Sequence, residues 1–133
     1  MTARFADTYY YLALLSESDA AHVAATQASR SYRGRVVTTA WVLAEVADAF
    51  AEPVLRPSFL GLIEALRGDP QVTIVPPTQE WFDRGIALYA KRLDKAWSLT
   101  DCISFVVMEQ MGLSEALTAD RHFGQAGFTV LLA

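Results

Sequence analysis

Apolar positions along this chain follow two patterns: short β-branched segments, and longer segments in which apolar residues recur at helical spacing. The short segments predict five strands, at residues 4–6, 35–38, 72–75, 115–118 and 129–132. Strands that alternate with helices are typical of βα units, which form a mainly parallel sheet with helices on both faces. We therefore expect one three-layer α/β/α domain over residues 1–133, without a linker or internal repeat.

Residues that favour helix ends mark several predicted helices. Ser18-Asp19 can cap a helix over residues 20–31, and Thr38 or Thr39 can cap the helix after the second strand. Ser98-Leu99-Thr100-Asp101 has the form of a capping box, in which the serine and aspartate side chains each bond the other's backbone amide. Gly112 follows that helix, where a left-handed residue is usually needed.

Composition excludes several protein classes. The chain has 133 residues, of which 53% are hydrophobic and 20% charged, so it is not intrinsically disordered. No uncharged segment approaches the roughly 18 residues that span a bilayer, and charges at Asp7 and Glu17 argue against a signal peptide. The single cysteine, Cys102, excludes an internal disulfide and a zinc site of several thiolates. We expect a cytoplasmic protein with no membrane association.

The net charge of −4, from 11 basic and 15 acidic residues, opposes long-range attraction of phosphates. A nucleic-acid protein that depends on a basic patch is therefore disfavoured. A protein that meets phosphates through bound cations escapes this objection.

Four acidic residues follow or lie near the ends of the predicted strands: Asp7, Glu45, Asp101 and Asp120. In open parallel sheets, ligands bind beyond the carboxyl ends of the strands, so these acids can converge at one edge. Converging carboxylates favour hard cations such as Mg²⁺ or Mn²⁺. Without these four acids, acidic and basic residues number eleven each. The charge of the proposed cluster therefore equals the net charge of −4.

Each acid also has an ordinary structural explanation. Asp7 and Asp120 can be helix N-caps, and the capping box alone explains Asp101. Glu45 is the less ordinary residue, because its neighbours in Trp41-Val42-Leu43-Ala44-Glu45-Val46-Ala47 are mostly apolar. Spacing by itself leaves both interpretations open for all four.

The sequence around the acids is more specific than their spacing. Four segments carry it: Phe5-Ala6-Asp7-Thr8, Trp41-Val42-Leu43-Ala44-Glu45-Val46, Ser98-Leu99-Thr100-Asp101-Cys102-Ile103-Ser104-Phe105, and Leu117-Thr118-Ala119-Asp120-Arg121-His122-Phe123. Their order resembles that in PIN-domain nucleases, in particular the small VapC-type toxins, from Arg4 to about Leu132. One departure is Tyr9, where many relatives carry serine.

That resemblance implies a PIN-like fold and a metal-dependent endoribonuclease that hydrolyses RNA with Mg²⁺ or Mn²⁺. Asp7, Glu45, Asp101 and Asp120 match the acidic quartet that is both catalytic and metal-binding in the family. The resemblance also implies a toxin of a type II toxin–antitoxin pair, with a cognate antitoxin as partner.

Two other functions compete with this one. A phosphoacceptor receiver domain has similar size and acidity, but it needs an acidic pair before the first-strand aspartate. Phe5 and Ala6 stand there, and no lysine follows Lys95, so this class is rejected. The alternative that remains is a PIN-like module that binds RNA or protein without catalysis; the presence of all four acids argues against it.

The remaining polar residues are predicted to be structural or solvated. We expect His22 and His122 on the surface, Cys102 as a buried thiol, and Trp81 and Trp97 in the core. The basic clusters, Arg33-Arg35 and Lys91-Arg92-Lys95, are interpreted as solvated loops rather than as guides for RNA.

The first helices carry more apolar residues than a small sheet obviously needs, including Tyr9, Tyr10, Tyr11, Leu14 and Leu15. This surplus predicts a homodimer face, an antitoxin groove, or both. The competing interpretation places all of these side chains in the core.

Overall fold

Five strands and seven helices alternate along residues 3–133, the part of the chain that the computed structural model describes. The strands are β1 (Ala3–Ala6), β2 (Arg35–Thr39), β3 (Val72–Val75), β4 (Glu115–Leu117) and β5 (Thr129–Val130). The helices are α1 (Thr8–Leu15), α2 (His22–Ser31), α3 (Ala40–Ala49), α4 (Arg56–Gly68), α5 (Gln79–Lys91), α6 (Leu99–Gln110) and α7 (Arg121–Gln125). None of these helices is long and apolar enough to cross a membrane.

The strands form one parallel sheet in the order β3-β2-β1-β4-β5. The chain moves from β1 towards β3 in one direction and then returns past β1 to β4 and β5. Because parallel crossovers are right-handed, this reversal places helices on both faces of the sheet. The predicted three-layer α/β/α architecture is confirmed. The reversal also makes the carboxyl ends of β1 and β4 the place where a ligand crevice is expected.

Side-chain caps fix where the central helices begin. Thr39 accepts a hydrogen bond from the amide of Val42, and Thr78 accepts one from the amide of Trp81. Both halves of the predicted capping box at Ser98 and Asp101 are present. These hydroxyl and carboxylate oxygens satisfy amides that would otherwise lack partners in the first turn.

Other predicted boundaries differ from the structure. The second helix begins at His22 rather than at residue 20, because Asp19 closes a turn by accepting a hydrogen bond from the amide of Ala21. Strand β5 ends at Val130, two residues earlier than predicted. Gly112 has φ +70°, which confirms the left-handed residue predicted after α6.

The apolar residues of α1 mostly face the interior. Tyr10 and Tyr11 are buried, and Leu14 and Leu15 are half-buried against the core. Helix α1 contacts both α2 and α3, and these contacts cover most of the apolar surface of α1 that the sequence suggested was in excess. Only Tyr9 of the five residues named above is exposed. The competing interpretation, which places these side chains in the core, is therefore correct for four of the five residues.

Helices α5 and α6 approach each other closely at Gly85, which is buried. A Cβ atom at Gly85 would lie 2.3 Å from Cγ1 of Ile103, inside van der Waals contact. We expect Gly85→Ala to lower the free energy of unfolding by about 1–3 kcal/mol, because the added methyl forces the helices apart. Gly61→Ala in α4 is the matched control, since nothing lies within 4 Å of its Cβ position.

Gly61→Ala should raise the free energy of unfolding by up to about 1 kcal/mol, the usual gain for alanine over glycine in a helix. Urea unfolding of both variants measures the two effects. Equal stabilisation by the two substitutions would show that the α5–α6 contact is looser than the structure indicates.

Candidate metal centre

Residues from three separate parts of the chain meet beyond the carboxyl ends of β1 and β4. Asp7 directly follows β1, and Asp120 lies three residues after β4 as the N-cap of α7. Asp101 lies in the first turn of α6. The side chain of His122, also in the first turn of α7, contacts Asp101 and so joins α6 to α7. The reversal in strand order thus brings three of the four predicted acids to one crevice.

Asp101, Asp120 and His122 form the tightest group. One possible ligand atom from each lies within 4.8 Å of the other two. Nδ1 of His122 lies 3.1 Å from Oδ2 of Asp101 and 3.5 Å from Oδ1 of Asp120. The prediction that His122 is solvated on the surface is wrong, because its ring is turned inwards between two carboxylates.

Asp7 is joined to this group through Thr118. The Thr118 hydroxyl donates to Oδ2 of Asp7 at 2.9 Å and accepts from the amide of Asp120 at 3.0 Å. Thr118 is fully buried, so its bond to Asp7 is shielded from water. The sequence interpretation missed this role of Thr118; its signal was a hydroxyl residue two positions before an acid at a strand end.

Burial raises the pKa of Asp7 from 3.8 to about 7. The negative charges of Asp101 and Asp120 contribute to this rise in the pKa, so all three carboxylates lie within electrostatic range of one another. Hydrogen bonds from the Thr118 hydroxyl and the Thr8 amide act in the opposite direction and favour the ionised form. The net result is a carboxyl group that is difficult to ionise unless a positive charge is nearby.

Glu45 lies at the edge of this arrangement. It is exposed on α3, and its Oε1 accepts a hydrogen bond of 2.5 Å from the Thr8 hydroxyl. Thr8 follows Asp7 directly, so this bond ties Glu45 to the loop that carries the buried acid. Among the described residues, Glu45 and Asp7 fall outside the close group of Asp101, Asp120 and His122.

The helix-cap and ligand interpretations of Asp101 and Asp120 are compatible. Oδ2 of Asp101 accepts from the amide of Ser98, and Oδ1 of Asp120 accepts from the amide of His122. In residues 3–133 neither Oδ1 of Asp101 nor Oδ2 of Asp120 has a hydrogen-bond partner. Each cap therefore orients its carboxylate and leaves one oxygen for another ligand. Asp7, by contrast, stands at the N-cap position of α1 but makes no side-chain cap, so that prediction is wrong.

The donor set fits a divalent cation. Within the described part of the chain, Asp101 and Asp120 each offer a free carboxylate oxygen, and Asp7 resists ionisation in the absence of positive charge. Carboxylate oxygens of this kind suit Mg²⁺ or Mn²⁺. Hydrogen bonds from the amides of Ser98 and His122 fix the orientation of the Asp101 and Asp120 carboxylates.

Other polar and aromatic residues lie outside this group. His22 is half-buried and its Nδ1 lies 2.7 Å from the carbonyl oxygen of Ala13, so the expected exposure is wrong. Cys102 is buried, which raises the pKa of its thiol, and Trp97 is buried in the core. In the basic cluster, Arg92 pairs with Asp94 and stacks on the Trp97 ring.

Removal of the Thr118 hydroxyl should damage both stability and the site. We expect Thr118→Val to cost about 1–3 kcal/mol of unfolding free energy, because the buried Asp7 carboxyl group loses its donor and the Asp120 amide loses its acceptor. Thr118→Ser keeps the hydroxyl and is the matched control. Thermal unfolding and metal-binding calorimetry of both variants test this, and identical behaviour of the valine and serine forms would contradict it.

Comparison with known proteins agrees with this architecture. A family model described as the PIN domain matches residues 4–129. A crystal structure of VapC20 from Mycobacterium tuberculosis, described as a toxin that cleaves the sarcin–ricin loop, has a TM-score of 0.85 at 24% sequence identity. That similarity covers 96% of each chain. No curated protein matches the sequence. The family match spans nearly the whole chain and includes all four acids, so the chain belongs to the PIN-domain family.

Proposed function

We propose that this PIN-domain chain is a metal-dependent endoribonuclease that hydrolyses RNA phosphodiester bonds. The observation that carries the proposal is the convergence of Asp101 and Asp120 beside the buried Asp7, each with one oxygen that has no hydrogen-bond partner within residues 3–133. These acids come from separate elements, and maintaining them together costs electrostatic energy. Such a cost is typical of a functional site.

Asp7, Asp101 and Asp120 would hold Mg²⁺ or Mn²⁺ in this proposal. When bound, the cation would supply positive charge that stabilises the phosphodiester oxygens and favours ionisation of a nearby water.

Glu45 is proposed to act on the attacking water. Its Oε1 is held by the Thr8 hydroxyl, and its exposed position leaves Oε2 able to accept a proton. In the reaction, the water oxygen bonds to phosphorus and gives its proton to Glu45, one P–O ester bond breaks, and the departing ribose oxygen takes a proton from solvent water. We expect Glu45→Gln to lower the cleavage rate by about 10²–10⁴-fold, as for loss of a general base. Glu64→Gln, an exposed acid on α4, is the matched control.

A metal titration tests the proposed activity. The purified chain, freed of metal with a chelator, is mixed with a panel of labelled RNAs that includes a sarcin–ricin loop oligonucleotide, because VapC20 is described as cleaving that loop. We expect cleavage to be absent without metal and to rise with Mg²⁺ or Mn²⁺. Metal binding without cleavage of any RNA would instead support the inactive binding module.

We further propose a toxin role, with an antitoxin protein as partner. The structural similarity to VapC20, a toxin, supports this proposal. Induced expression of the wild-type chain in bacteria should stop growth, whereas the Asp101→Asn variant should not. Equal growth of the two cultures would contradict a toxin that acts by catalysis.

A homodimer stays a prediction, now with less support from α1. Of the five α1 residues that suggested it, Tyr9 alone is exposed, at 36%. Sedimentation at tens of micromolar, a concentration chosen for the test, measures the assembly state. A strict monomer would contradict the dimer.

A further inference from the structure

His122 occupies a position between the two acids that neither the sequence interpretation nor the family match assigns. Its Nδ1 lies 3.1 Å from Oδ2 of Asp101, and its backbone amide donates to Oδ1 of Asp120 at 2.9 Å. The side chain is 21% exposed, compared with 12% for Asp101 and 33% for Asp120. One residue thus contacts a carboxylate on α6 and the carboxylate that caps α7.

The chemistry of these partners indicates which ring nitrogen carries hydrogen. Both oxygens near Nδ1 belong to carboxylates, which accept hydrogen bonds when ionised. Nδ1 therefore acts as the donor, and a nitrogen that carries a hydrogen cannot also coordinate a cation through the same lone pair. Oδ2 of Asp101 then accepts from two N–H groups, those of Ser98 and His122.

We propose that His122 is a positioning residue: its Nδ1–H fixes the Asp101 carboxylate, which leaves Oδ1 available to a cation, and Nδ1 is not itself a metal ligand. Donors of this kind orient a ligand and typically change metal affinity 10–100-fold when removed. This inference rests on the metal site of the proposed function, but it concerns the structure of that site rather than RNA.

Metal selectivity separates the positioning role from direct ligation. An imidazole ligand favours Ni²⁺ or Co²⁺ over Mg²⁺, whereas a site of carboxylate oxygens shows a smaller preference. Removing a true imidazole ligand would therefore reduce Ni²⁺ affinity far more than Mg²⁺ affinity. Removing a positioning donor would reduce both affinities by a similar factor.

Two substitutions at His122 provide the test. His122→Ala removes the N–H donor, and His122→Asn retains a side-chain N–H close to the former Nδ1 position. His22→Asn is the control, because His22 lies close to the Ala13 carbonyl oxygen rather than to an acid. Calorimetry gives the Mg²⁺, Mn²⁺ and Ni²⁺ affinities of each variant, and thermal unfolding without metal monitors the fold.

We expect His122→Ala to weaken Mg²⁺ and Ni²⁺ binding alike by about 10–100-fold, and His122→Asn to restore most of the loss. Unchanged affinities in His122→Ala would overturn the proposal, and so would a selective loss of Ni²⁺ binding in both variants. If the alanine form does not fold, the asparagine form and the wild-type tautomer decide the question.

The tautomer is read by ¹⁵N NMR of the histidine rings in the wild-type chain. We expect Nδ1 of His122 to carry hydrogen both without metal and with saturating Mg²⁺. An Nε2–H ring with a bare Nδ1 in the Mg²⁺ form would show that Nδ1 donates no hydrogen bond to Asp101 and would overturn the proposal. None of these measurements involves RNA, so a failure of the proposed nuclease activity is distinguished from a failure of this inference.

Discussion

Asp101→Asn should reduce RNA cleavage by at least about a hundredfold while leaving the fold intact. The neutral amide binds a hard divalent cation more weakly than a carboxylate, and loss of the ion removes the charge stabilisation that phosphodiester hydrolysis needs. Asparagine can still accept the hydrogen bond from the Ser98 amide that closes the capping box, so α6 should begin at the same residue. Cleavage rates and circular dichroism measure the two effects together.

Asp83→Asn is the control for this substitution, since Asp83 is an exposed acid on α5 whose carboxylate accepts a hydrogen bond from the Gln79 side chain. It should cleave RNA at the wild-type rate. Full activity in Asp101→Asn would show that the Asp101 carboxylate is not part of the catalytic site. A 2′,3′-cyclic phosphate on the products would show that the ribose 2′-hydroxyl attacked the phosphorus. The proposed attack by water would then be wrong.

The metal-free chain should lose stability as the pH rises from about 4 to about 7. The pKa of Asp7 is 3.8 in ordinary surroundings and about 7 in the fold, so in this range the folded state binds more protons than the unfolded state. The free energy of unfolding therefore decreases as pH rises and stays low above the folded pKa. The contribution from this carboxyl group is roughly 4 kcal/mol at most.

Asp7→Asn should remove this contribution. At pH 8 and without metal, the variant should melt at a higher temperature than the wild type, because the amide can accept the Thr118 hydrogen bond without a buried charge. Saturating Mg²⁺ should stabilise the wild type by about 2.7 kcal/mol at a hundred times Kd and the variant much less. A variant that melts lower at pH 8 and responds fully to Mg²⁺ would show that Asp7 lies outside the metal site.

Local signals were sufficient to predict the fold. Strand β3 and the capping box at Ser98 and Asp101 depend on residues a few positions apart, and both are confirmed. The alternation of strands and helices was enough to predict the parallel sheet, because βα units allow few other arrangements. The position of Asp7 and Asp120 at strand ends follows from the same alternation.

Contacts between distant segments could not be predicted in this way. The Thr118 hydroxyl reaches Asp7 across 111 positions of the chain, and His122 reaches Asp101 across 21. Each depends on side-chain direction at the end of an element, which periodicity does not specify. A histidine beside an aspartate is also common on solvated surfaces, so His122 gave no signal until α6 and α7 were placed side by side.

The most direct test is a crystal structure of the chain soaked in Mn²⁺, with anomalous scattering used to locate the ion. We expect an anomalous peak in the crevice beyond β1 and β4, within coordination distance of Oδ1 of Asp101 and Oδ2 of Asp120 and adjacent to Asp7. A crevice without a peak at Mn²⁺ concentrations that support RNA cleavage, or a peak held by other residues, would contradict the account.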